Sequence, residues 1–161
     1  MKHLPHIISL LLAVSVGQAA SPTADQISEF SVRVTDCIQK KNFQGIRDLY
    51  YLDGTPAPLI EKTMLIWDAR VTQPGDPNWT FAGVEYFSLA DFLARPGLNP
   101  AVLDPLVRER NIAGIDYVPN TPVIGLLVVK FKSGDNQNDF VYPVGMDPSG
   151  RPCLVENRPK G

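Results

Sequence analysis

Histidine is scarce in this chain. Of 161 residues, only His3 and His6 are histidine, and both stand at the very start. A domain that begins beyond them has no Ser-His-Asp or Cys-His catalytic arrangement and no His-ligated zinc or iron site. It also has no imidazole proton shuttle. Cysteine is equally rare, with Cys37 and Cys153 far apart in the sequence. Two cysteines cannot form a four-cysteine zinc site, and no CxxC redox motif exists. Two readings of the pair stay open. In an oxidising compartment they can join as a disulfide, which the chain-entropy model values at about 4–5 kcal/mol for so long a loop. The other reading is two small buried apolar residues.

An excess of charge is also missing. Fifteen Lys and Arg stand against 17 Asp and Glu, a net of −2. The basic residues are scattered. Lys40-Lys41 and Arg108-Glu109-Arg110 read as solvated helix faces rather than a patch. Nucleic acid is therefore not an expected partner, since phosphate neutralisation needs a basic face.

Long hydrophobic runs are absent as well. The longest mostly apolar stretch, Ile7 to Val16, is half the roughly 20 residues of a spanning helix. Lys2 precedes it as the only charged residue before Asp25, and Gly17, Gln18, Ala19 and Ala20 follow. A positive start, an apolar middle and a small-residue end are the three regions of a cleavable secretory signal peptide. No Cys lies near the cut, so lipoprotein acylation has no acceptor. The expected organisation is a signal peptide over residues 1–20 and one domain over residues 21–161. That domain is exported (periplasmic or secreted) and keeps no stable membrane anchor after cleavage. Its length is enough to bury a core, and it would contain no histidine.

Helical periods come first along the chain. Thr23 and Gln26 have capping-box spacing. Ile27, Phe30, Val34, Cys37 and Ile38 then repeat at three and four, which predicts a helix from about Asp25 to Lys41. Asn42 breaks it and can cap a second, shorter helix marked by Phe43, Ile46, Leu49 and Tyr50. Thr55-Pro56 fits an N-cap and a first-turn proline. Leu59, Ile60, Met64, Trp67 and Val71 mark a third helix.

After the loop Gln73 to Asn78 the period changes to two. Trp79 to Leu89 reads as a strand in which Gly83 signals a bulge. Arg95 to Pro105 reads as irregular, with a short helix from Pro100 to Arg110 and a brief strand from Gly114 to Val118. Val123 to Lys132, Asp139 to Met146 and Arg151 to Asn157 read as a meander. Its connections are a loop over 133–138 and a tight turn at Asp147-Pro148-Ser149-Gly150. Helices followed by a meander predict an α+β domain, with N-terminal helices packed on one face of an antiparallel sheet.

That order resembles the nuclear transport factor 2-like, cystatin-like superfamily. The resemblance is carried by the Phe30–Tyr50 stretch, with its Lys40-Lys41-Asn42-Phe43-Gln44-Gly45-Ile46-Arg47-Asp48-Leu49-Tyr50 ending, and by the closing meander Val123–Val155. Tyr117 to Gly125 is also similar to segments of exported bacterial proteins of this build. The resemblance implies a curved, cone-like sheet wrapped around the helices and often enclosing an apolar pocket. It also implies that enzymatic members work with an Asp base and Tyr donors, or with His. The His version has no residues here. Tyr50, Tyr51, Tyr86, Tyr117, Asp53, Asp68, Asp91 and Asp116 supply the types for the other, at spacings that match no transferable motif. No catalytic residue, metal ligand or cofactor is assigned.

Other features carry both a functional and a plain reading. Tyr50-Tyr51 with Asp53-Gly54 can line a pocket mouth, or be one core and one rim aromatic at a helix end. Trp67 and Trp79 can hold a sugar or peptide, although Trp more often anchors a core. Asp135, Asn136, Asn138 and Asp139 are oxygen-rich but lack EF-hand spacing and its closing Glu, so a hairpin loop is expected. Asn78-Trp79-Thr80 is a glycosylation sequon that matters only in a eukaryotic source. The favoured expectation is a non-enzymatic exported domain that binds a small apolar ligand or a protein partner, a second copy of the chain included. The alternative is a metal-free, Asp/Tyr-dependent isomerase, dehydratase or hydrolase.

Overall fold

The computed structural model describes residues 21–71, 79–95, 110–112 and 114–161. The expected signal peptide, the loop expected over 73–78 and the helix expected from Pro100 to Arg110 lie outside the described residues or almost wholly so. Helix α1 spans Ala24–Gln39, with the expected capping box: Gln26 N–H donates to Thr23 Oγ1, and Thr23 N–H donates back to Gln26 Oε1. Its apolar stripe buries Phe30, Val34, Cys37 and Ile38. Asn42 ends it and caps α2 (Phe43–Arg47), accepting from Gly45 N–H at 2.9 Å. Strand β1 is only Tyr50–Tyr51, and α3 spans Ala57–Val71. The Pro56 carbonyl, rather than Thr55, opens α3 by accepting from Leu59 and Ile60 N–H. No helix among the described residues is long and apolar enough to cross a membrane.

Strands β2 (Thr80–Ser88), β5 (Gly125–Ser133), β6 (Asn136–Met146) and β7 (Pro152–Val155) join β1 in a five-stranded sheet of order β1-β7-β6-β5-β2. The pairings are antiparallel except β1 with β7, which is parallel. The sheet is open, with β1 and β2 at its edges. Gly83 has φ 134° at a register shift after Phe81, so the bulge read from the sequence is present. Between β2 and β5 the chain forms α4 (Leu89–Leu93), β3 (Arg110–Ile112) and β4 (Ile115–Pro119). Strands β3 and β4 join β8 (Asn157–Pro159) in a second, three-stranded sheet.

The fold is therefore α+β, with an antiparallel-dominated sheet, and it differs from the sequence expectation in three places besides the second helix, which ends at Arg47 and leaves Tyr50 to β1. Helices are not confined to one face. Strand β5 is buried on both sides: Leu127, Val129 and Phe131 join the core with α1 and Trp67, while Leu126 and Val128 pack on Phe92 of α4. Strand alternation produces this division, since successive side chains point to opposite faces. The loop expected over 133–138 is instead a turn at Gly134 and Asp135, with Ser133 already paired to Asn136. Asp135, Asn136, Asn138 and Asp139 are exposed along that hairpin rather than gathered.

The third difference is at Glu156. The final strand does not run through to Asn157. It stops at Val155, and after Glu156 the chain continues as β8 in the other sheet.

The same alternation governs the cysteines. Leu154 faces the core that holds Cys37, so its neighbour Cys153 points to the opposite face. There Gly145, paired with Cys153, lies so close to the 121–122 loop that a Cβ would come within 2.8 Å of the Pro122 carbonyl oxygen. Both cysteines are buried free thiols, and the disulfide reading is not realised.

Candidate functional site

Leu59, Lys62, Thr63, Ile66, Trp67 and Arg70 recur at three and four along α3. They form one stripe, and all of them line a cavity of about 310 Å³ between this helix, the middle of β6 and the end of β7. Trp67 is the one buried residue of α3. Its ring stacks on Tyr142 with centroids 4.3 Å apart and planes 12° from parallel. Its Nε1–H donates to the Tyr50 hydroxyl at 2.8 Å. One turn further on, Arg70 Nη1 donates to the Tyr142 hydroxyl at 2.8 Å, and the guanidinium sits 4.2 Å above the Phe140 ring. Burial pushes the Tyr50 phenol well above its ordinary range, and the neighbouring Tyr142 adds to the shift. Burial also raises Tyr142, against the opposing effect of Arg70. Both phenols are neutral at physiological pH. Each accepts one hydrogen bond and keeps its own O–H as a donor.

The acid in this cavity is Glu156. At 8% exposure it is the one buried charged residue among those described. Thr63 Oγ1 donates to Glu156 Oε2 at 2.5 Å, and Asn157 N–H donates to Oε1 at 3.0 Å. The wall thus combines apolar contacts from Leu59, Ile66 and Val155 with a carboxylate and two phenol hydroxyls. Apolar walls with a few convergent polar groups are the usual build of a small-molecule site.

Sequence reasoning passed over Glu156. A signal for it existed: in the strand expected over Arg151 to Asn157, period two places Glu156 on the face of Leu154. An acid on an inward face is rare unless its oxygens are satisfied.

The residues singled out from the sequence are dispersed. Tyr50 and Tyr51 both line a polar hollow of about 250 Å³, with Arg33, Asp147, Arg151 and Cys153. Tyr50 lines the α3 cavity as well, and Tyr51 donates to exposed Asp53 at 3.2 Å. Asp91 accepts from Ser88 Oγ at 2.6 Å at the start of α4. Asp116 accepts from Asn111 at 2.7 Å in the second sheet, beside Tyr117. Tyr86 lies in β2, its phenol raised by burial and then by Asp91. Asp68 is half-buried in a more open groove of about 520 Å³ between α2 and α3, whose apolar lining includes Phe43, Ile60, Met64 and Leu65. Trp79 is half-buried against the core. Among the described residues, no three His, Cys, Asp or Glu side chains group as metal ligands would.

No protein-family model, no curated protein and no solved structure matches this chain.

Proposed function

We propose that this is an exported, non-enzymatic domain that binds a small, largely apolar ligand between α3 and the sheet. The observation that supports it is the α3 cavity, with its apolar walls, the Trp67–Tyr142 stack and a buried carboxylate. Its volume is at the lower end of the roughly 300–1,000 Å³ usual for ligand sites. In this reading the sheet and helices act as the cone of the nuclear transport factor 2-like superfamily that the element order resembles. Export rests on the leader-like composition of residues 2–20.

Calorimetric titration of the purified protein with 2-phenylethanol tests the reading, alongside an Ile66→Trp variant that fills the cavity. Binding to the wild-type protein and its loss in the variant are expected. Equal binding to both, or to neither, refutes it.

One observation favours a second reading, a metal-free acid–base enzyme: Glu156 shares its cavity with the hydroxyls of Tyr50 and Tyr142. In that case Glu156, rather than any Asp, is the base. Turnover of an enolisable ketone, abolished by Glu156→Gln, would decide for it.

A further inference from the structure

We propose that the ligand of the α3 cavity carries a primary ammonium group on a small apolar body, and that Glu156 receives it; this rests on the cavity being a ligand site. The argument begins with what surrounds the carboxylate. Oε2 accepts from Thr63 Oγ1 at 2.5 Å, and Oε1 accepts from the backbone and side-chain amides of Asn157 at 3.0 and 3.4 Å. All three donors are neutral. The ion pairs among the described residues join Lys40 to Asp36, Lys130 to Glu85 and Arg151 to Asp147, and none reaches Glu156.

The two cations on the same wall are placed elsewhere. Arg70 is turned to the Tyr142 hydroxyl and the Phe140 ring. Lys62 is exposed at the rim, one residue before Thr63. A carboxylate removed from water without a counter-charge is costly, because neutral donors replace only part of its hydration.

An ammonium supplies both the charge and three N–H donors. The remaining lining selects the rest of the molecule. Leu59, Ile66 and Val155 offer apolar contact, and the Tyr50 and Tyr142 hydroxyls leave room for one hydrogen-bond acceptor further in. An anionic group placed against Glu156 meets Coulomb repulsion at that end of the cavity, with Lys62 and Arg70 on the helix side. An alcohol can hydrogen-bond to it but brings no charge. The class is therefore an apolar amine.

The test compares three molecules of nearly equal size at neutral pH: 2-phenylethylamine, 2-phenylethanol and 3-phenylpropanoate, each titrated into the purified protein. The amine is expected to bind about tenfold or more tighter than the alcohol, as a charge-assisted hydrogen bond requires. The carboxylate should bind most weakly. Glu156→Gln should remove the preference for the amine and keep the alcohol. Lys62→Ala should tighten the amine further, because it removes the neighbouring ammonium. Equal binding of amine and alcohol overturns the ammonium assignment while leaving the cavity as a site, and so does a preference that survives Glu156→Gln. Binding of none of the three overturns both. The wild-type ranking alone decides if Glu156→Gln does not fold.

Discussion

Thr63 Oγ1 and Glu156 Oε2 lie 2.5 Å apart, across the seam where α3 meets the end of β7. The contact joins the third helix to the point at which the chain leaves the main sheet for the second. Asn120 N–H donates to the Glu156 carbonyl at 2.9 Å and holds the same residue from the other side. This pair should therefore matter to stability as well as to the cavity. Thr63→Val leaves the buried carboxylate one donor short and should cost about 1–3 kcal/mol. A double-mutant cycle with Glu156→Gln, read by urea unfolding, should give a coupling of about 0.5–3 kcal/mol. Strictly additive effects would mean that the bond contributes nothing.

Trp67 ties two side chains together, stacking on Tyr142 and donating to the Tyr50 hydroxyl. Trp67→Ala should destabilise by about 3–5 kcal/mol, the range for losing a buried aromatic. Trp67→Phe keeps most of the volume but strips the Tyr50 hydroxyl of its donor. Adding Tyr50→Phe to it should recover part of the loss, since an apolar pair is better than one orphaned polar group. Urea midpoints of the two variants check this, and a further loss on adding the second change would contradict it.

The turn at Asp147 should give an acid-sensitive contribution to stability. Partial burial raises its carboxyl, but hydrogen bonds from Ser149 and Arg151 outweigh this and hold it below the ordinary value of 3.8. A depressed carboxyl adds stability that is present above the unfolded value, about 3.9, and lost as pH falls through the folded value. Asp147→Asn should therefore lower stability at neutral pH and flatten the decline below about pH 4. Thermal unfolding of both proteins from pH 2 to 7 would show the two curves converging in acid; parallel curves would refute the assignment.

The cysteines should resist chemistry until the protein unfolds. Burial pushes the Cys153 thiol up to about 12, with Asp147 adding to the effect. Cys37 is raised by burial and then by Asp36. Thiolate is the reactive form, so iodoacetamide at pH 8 should label neither residue in the native protein and both after denaturation. An intact mass two hydrogens short, restored by reductant, would show a disulfide that this arrangement does not contain.

Much of the local structure was legible because local rules act on neighbouring residues. Thr23 with Gln26 fixed the start of α1, Asn42 the step into α2, and Gly83 the bulge in β2. The second sheet was not legible, because β8 is three residues long and gains its identity only by pairing with β4. Helix α4 carries a Ser88–Asp91 cap, yet its apolar residues also fit the strand before it. The candidate site was less legible still. Its α3 stripe has helical spacing, but whether such a stripe packs on a core or lines a cavity depends on the distance to the facing sheet.

By itself the sequence determined which reactive groups the chain has and where along it they stand. It placed both histidines before residue 7, kept the cysteines few and far apart, and held the net charge at −2. These are matters of composition, and no folding alters them. Tertiary structure alone decided which acid met which hydroxyl. Tyr50 and Glu156 come from opposite ends of the domain, and they line one cavity because β1 pairs parallel to β7. The same alternation that turned Leu154 toward Cys37 turned Cys153 away. Such outcomes depend on strand register, which is set by the burial of a whole face and by no single residue.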